Sequence, residues 1–410
     1  MLSRILPLLI LSGLLFGFVV PTSEAETSAT RLLGSSPSLI KTAQLQILGG
    51  LAPTNQLYLT LGLPLRDEAG LSNCLAGLYN PGSPTYRQFL TPQEFTARFA
   101  PTAESYSNVL QYVAAQGWEV RHTHPNRLLV DVVASVAQVE PVLKVKFNNY
   151  WLVKDQRKFF APDQEPQWSG PVPLLHISGL DNFQRPQSLM RPVPAGLGYQ
   201  AYAGTGPGGS YLGNDFRQAY LPGCALTGSG QSVALVQFDG FYPADITNYA
   251  VAAGMTNGPP NIVVVPIDGG ITNPGIYEKE VALDIEMVMA MAPGIANIYV
   301  YEAPNVFGTW EDVMSKIAND NLARQVSSSW AGGGPNPAGE ILLQQMAAQG
   351  QTYFNASGDD AASIGPRAYP TESPNATLVG GTTLTTDTNG AYLAETVWNW
   401  GSGNGSSGGV

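Results

Sequence analysis

Apolar positions follow two different rhythms along this chain. Up to residue 183 short strands and amphipathic helices are mixed. "NQLYLTLGLPL" alternates as a half-buried strand does, while "LSNCLAGLYN", "TPQEFTARFA" and "TAESYSNVLQYVAAQG" carry helical spacing. Thr91 and Thr102 stand where N-caps belong. "WEVRHTHPNRLLVDVVA" supplies further strands, "VAQVEPVLKV" a helix, and "NNYWLVKDQRKFFAP" a hairpin. This order predicts an α+β ferredoxin-like domain over 38–183. From about residue 211 the strands become near-continuous apolar runs separated by helices: "SVALVQFDG", "NIVVVPI", a helix over 276–292, "ANIYVYEA", "WEDVMSKIAND", "RQVSSSW", "AGEILLQQMAAQG" and "QTYFNASGDD". That pattern predicts an α/β fold with a doubly wound parallel sheet. Sites in such sheets lie at the C-terminal ends of strands, which singles out Asp239, Ser329-Trp330 and Ser357-Gly358-Asp359.

Between the two regimes, residues 184–210 are rich in Pro, Gly and Gln, and are expected to be an exposed, flexible linker containing a processing site. Residues 1–25 read as a signal peptide: Arg4, an apolar stretch, then Ser23-Glu24-Ala25 as the cleavage pattern. A secreted or periplasmic location follows, with no membrane attachment after cleavage. Cys74 and Cys224 form no motif, and no bridge is expected between them.

Charge and histidine content narrow the chemistry. Residues 209–410 carry 18 Asp+Glu against 5 Lys+Arg, which argues against a nucleic-acid partner and suits work at low pH. All three histidines, His122, His124 and His176, lie before residue 209. A Ser-His-Asp or Cys-His site within the second half is therefore excluded, and so is an HExxH zinc site.

The best chemical candidate is a pair. In "EKEVALDIEMVMAMAPG" Glu280 and Asp284 stand four residues apart, on one face of a mostly apolar helix. A carboxylate held near another in a poorly solvated place has its pKa raised and can serve as a general acid or base in mild acid. A solvated face shared with Glu278, Lys279 and Glu286 is the plain alternative. Asp359 ends a strand, where a protonated acid can donate to an oxyanion; Asp239 in "QFDG" reads as turn chemistry. "GSSGG" (405–409) matches G-x-S-x-G formally but lacks the strand and helix which that motif needs.

Several segments occur together in order: "GIYEKEVALDIEMVMAMAPGIANIYVYEAP", "SSSW", "SGD" and "YPTESPNATLVGGTTL...ETVWN". They resemble the sedolisin, or serine-carboxyl peptidase, family, of which kumamolisin is a member. "PGSPTYRQFLTPQEFTARFAPTAESYSNVLQYVAAQGWEV" is similar to that family's activation prodomain, and "YLGNDFRQAY" to the start of its mature enzyme. The resemblance implies a subtilisin-like fold, with Glu280 as the catalytic base, Asp284 orienting it and Asp359 as the oxyanion-hole aspartate. Ser329, Trp330, Ser357 and Gly358 would line the substrate cleft. It also implies a protein or peptide substrate, inhibition by the chain's own prodomain, and calcium, whose ligands lie beyond the residues present. Ala331 and Asp360 depart from the family's usual Gly and Ser. The family's G-T-S nucleophile motif is absent, so 211–410 is expected to be a partial catalytic domain that stops short of the serine. The alternative is an inactive secreted remnant acting as a binding or inhibitory protein. A two-carboxylate glycosidase is a weaker third reading.

Overall fold

The structure is a computed structural model that describes residues 30–31, 45–153, 156–183, 185–190, 204–306, 308–331, 336–362 and 369–408. The proposed signal peptide and most of the proposed linker lie outside the described residues.

The first unit is built around a four-stranded antiparallel sheet in the order Glu119–Thr123, Leu129–Ser135, Gln56–Gly62, His176–Ser178. Along the chain it runs strand, helices, strand, strand, helix, strand. The helices start where their caps allow. Thr91 accepts from the Glu94 amide and Glu94 reaches back to the Thr91 amide, closing a capping box. Thr102 likewise accepts from the Ser105 amide at 3.0 Å. Leu57, Leu59 and Leu61 alternate inward and pack with Val109, Val113, Val130 and Val132. The predicted hairpin is present as Phe147–Leu152 against Arg157–Pro162.

The second unit is an α/β layer around a six-stranded, wholly parallel sheet. Its order is Asn261–Pro266, Asn297–Glu302, Ser232–Gln237, Gln325–Ser328, Thr352–Ala356, Ala376–Val379. The apolar centres of these strands and the helices Glu278–Met291, Thr309–Asp320 and Pro337–Ala348 supply the largest core.

Leu65, Leu71, Leu78, Phe95 and Phe99 of the first unit belong to that same core. The first unit docks on the two helices Thr309–Asp320 and Pro337–Ala348. Leu90 N–H donates to Ala348 O at 2.9 Å and Tyr79 Oη to Ala347 O at 2.9 Å. Gly62 passes so close to Ala338 that an added Cβ would meet the alanine methyl at 2.5 Å, so the strand docks there only as glycine. The interface is thus a continuation of the hydrophobic core and is not held by charge alone.

Candidate active site

The helix Glu278–Met291 is pinned by Val281, Ala282, Ile285, Met289 and Ala290, which are buried. Its approach is fixed by Asp239, whose carboxylate accepts from the amides of Gly275 at 2.7 Å and Tyr277 at 2.9 Å. Asp239 is therefore a structural residue, as its Asp-Gly context suggested. The face opposite the aliphatic stripe carries Glu280 and Asp284 toward the C-terminal ends of the central strands.

Glu280 is 3% exposed. Burial raises its carboxyl to about 7, hydrogen bonds from Ser188, Met190 and Ser329 oppose that rise, and the neighbouring Asp284 adds to it. Asp284 accepts from Ser329 Oγ at 2.7 Å on Oδ1 and from Gln237 Nε2 at 2.7 Å on Oδ2. Part of its surface still meets solvent, yet dense packing around the carboxyl raises it to about 6, against the pull of those two donors. Gln237 in turn accepts from Trp330 Nε1 at 2.7 Å, and both residues are fully buried. The pair is thus no solvated face. Asp284, Gln237 and Trp330 form a hydrogen-bonded chain, and Glu280 stands beside its head, with Ser329 bonding to both acids.

Gln237 did not stand out in the sequence. Its signal is its place at the C-terminal end of the central strand Ser232–Gln237, level with Glu302. Glu302 also escaped notice; it is buried beside Asp239, and burial followed by that neighbour's charge raises it to about 7.

The start of the proposed linker departs from the expectation of an exposed, flexible segment. Gln187–Ser188 forms a strand antiparallel to Trp330–Ala331, with Ser188 opposite Trp330 and Gln187 opposite Ala331. Ser188 is buried, its hydroxyl donates to Glu280 Oε2, and the Met190 amide donates to the same oxygen at 3.1 Å. Polar and proline-rich composition predicted solvent exposure, but an unpaired edge at Trp330–Ala331 and a buried carboxylate offer this segment backbone and side-chain partners. A length of the chain itself therefore lies across the acidic pair.

Asp359 follows Thr352–Ala356, the strand next to the one that leads into Ser329. Around it, the segment 405–407 closes over the loop. Gly405 N–H donates to Asp359 O at 3.2 Å, Ser407 N–H to Gly358 O at 2.7 Å, and Ser357 Oγ to Ser407 O at 2.6 Å. Gly358 has φ +108°, a conformation that favours glycine. Ser329 thus joins the acidic pair directly and Trp330 joins it through Gln237, whereas Ser357, Gly358 and Asp359 form a neighbouring loop braced by Gly405 and Ser407. Cys74 and Cys224 are free, half-buried thiols.

Comparison with known proteins follows the same two units. Residues 43–183 match the family described as "Pro-kumamolisin, activation domain". Over most of its length the chain is similar to curated peptidases. It is 27% identical to sedolisin from Pseudomonas sp. (strain 101), covering 97% of this chain and 71% of that protein. It is 25% identical to xanthomonalisin from Xanthomonas sp. (strain T-22), covering 92% and 52%. With kumamolisin from Bacillus sp. (strain MN-32) it shares 27% identity, covering 80% and 62%. The chain therefore spans between about half and about seven-tenths of the length of these relatives.

Proposed function

The chain belongs to the sedolisin family of serine-carboxyl peptidases, and from that premise we propose that it is the precursor of a secreted, acid-acting serine endopeptidase. Residues 38–183 act as its activation prodomain and 211–410 as part of its catalytic domain. The observation that carries this reading is the buried Glu280–Asp284 pair, hydrogen-bonded through Gln237 to Trp330 and crossed by a strand of the same chain.

In the whole enzyme Glu280 takes the proton of a serine hydroxyl as that serine attacks a peptide carbonyl, and returns it to the leaving amine. Asp284, held on both oxygens by Ser329 and Gln237, stands beside Glu280 and, whenever it is ionised, raises the proton affinity of that base. Asp359, protonated, donates to the tetrahedral oxyanion. Substrate lies as a strand along Ser329–Ala331, the edge that Gln187–Ser188 takes up in this chain. With that segment in place Glu280 is dry, holds its proton up to about pH 7, and cannot act as a base in acid. Withdrawal of the segment admits water and lets the carboxyl ionise at lower pH. Calcium is expected from the family, and no step here depends on it.

The test is the pH dependence of kcat/KM between pH 2 and 8 for the matured full-length enzyme. An ionised base and a protonated donor, both carboxyls, give a bell well below neutrality. Glu280→Gln should lower kcat by roughly three orders of magnitude or more. An optimum near neutrality, or a Glu280→Gln variant within about tenfold of wild type, removes Glu280 from the role of base.

A further inference from the structure

A second cluster of ionisable groups lies away from the acidic pair, where the two units meet. His124 and Asp131 come from the first unit, on either side of the turn between its strands Glu119–Thr123 and Leu129–Ser135. Asp312 and Ser315 come from the helix Thr309–Asp320 of the second. His124, Asp131 and Asp312 are all buried, at 5%, 9% and 7% exposure. His124 Nε2 lies 2.8 Å from Asp131 Oδ2 and 3.5 Å from Asp312 Oδ1. The second oxygen of Asp131 and that same Oδ1 of Asp312 have no hydrogen-bond donor. Two buried carboxylates, with side chains 13% and 9% exposed, thus each leave an acceptor atom unpartnered close to one imidazole. Glu311 is buried close by, and no lysine or arginine among the described residues is ion-paired with any of these acids. Unpaired buried acceptors are costly, so a positive occupant stabilises the arrangement.

We propose that His124, Asp131 and Asp312 bind one divalent transition-metal ion of the zinc class and so clamp the first unit to the second. The donor set is one imidazole nitrogen and two carboxylate oxygens. It suits zinc, cobalt or manganese; calcium takes six to eight oxygens instead. One ligand atom from each residue can be chosen so that all lie within 4.8 Å of one another. Tetrahedral zinc at about 2.1 Å from each ligand needs separations of roughly 3.4 Å, so small side-chain rotations close the site. The other imidazole nitrogen, Nδ1, lies 2.8 Å from Ser315 Oγ, the outer contact that orients a metal-binding histidine. Asp268, exposed at the end of the edge strand, hydrogen-bonds Asp312 and marks a polar path from solvent. The site is independent of the chemistry proposed for Glu280.

The test uses the purified chain at neutral pH, stripped with a chelator and titrated with Zn²⁺ by calorimetry and with Co²⁺ by visible absorption. One ion per chain is expected, with a Co²⁺ ligand-field band of four-coordinate N/O type and a raised unfolding temperature. His124→Gln and Asp312→Asn should each weaken Zn²⁺ binding by tenfold or more, while His122→Gln leaves it unchanged. Absence of both the calorimetric signal and the Co²⁺ band from the wild-type chain overturns the proposal without recourse to a variant. So does binding that survives His124→Gln, or a site that prefers Ca²⁺.

Discussion

Replacing Glu280 by Gln tests the physical state of the acidic pair without any need for turnover. Glu280 is almost wholly buried, and its carboxyl is raised from the ordinary 4.5 to about 7, chiefly by burial. The sign follows from linkage. Between these two values the unfolded chain has released the proton while the folded chain still holds it. Folding stability is therefore full below about pH 4, falls as pH rises, and has lost this group's share above about pH 7. A rise of that size corresponds to roughly 3 kcal/mol. Gln keeps an oxygen that accepts from Ser188 and Met190, matches the protonated acid in shape, and does not titrate. Glu280→Gln should therefore be near neutral at pH 4 and stabilising at pH 8, by the order of 2–3 kcal/mol or roughly 5–10 °C in Tm for a unit of this size. Urea or thermal unfolding of both proteins at the two pH values reads it directly. A Tm difference that is the same at pH 4 and pH 8, or a variant less stable at pH 8, would falsify the argument that Glu280 is held protonated by burial.

Other expectations rest on single contacts. Gln237→Leu leaves the Trp330 indole N–H buried without an acceptor and should lower stability by about 2–4 kcal/mol in a denaturant titration; Trp330→Phe added to it should recover much of that loss. Thr102→Ala removes a helix cap and should cost about 1 kcal/mol in the same assay. Ser188→Ala removes a donor that lowers the Glu280 carboxyl. The pH at which wild type loses stability through Glu280 should then move upward, and an unchanged profile counts against the contact. Thiol titration of the denatured chain without reductant should find two free cysteines; finding none means that Cys74 and Cys224 pair.

Much of the architecture was legible because it depends on local pattern. Period-two alternation in "NQLYLTLGLPL", cap residues at Thr91 and Thr102, and apolar strands between helices each constrain a few neighbouring residues, and the structure holds elements at those places. The spacing of Glu280 and Asp284 placed both acids on one helix face for the same reason. Nothing local to that helix could show that the face is dry, since burial there comes from Ser188, Ser329 and Trp330, 45 to 92 residues away in sequence. Gln237 was invisible because a lone buried glutamine gains meaning only from the tryptophan and aspartate that strand order brings to its two ends. Composition misjudged Ser188, which is buried because a strand edge at Trp330–Ala331 and the Glu280 carboxyl offer it partners, while its neighbour Gln187 stays exposed. The His124–Asp131–Asp312 cluster draws its members from two units joined by a shared core. Tertiary docking alone decided that those charges would meet out of water.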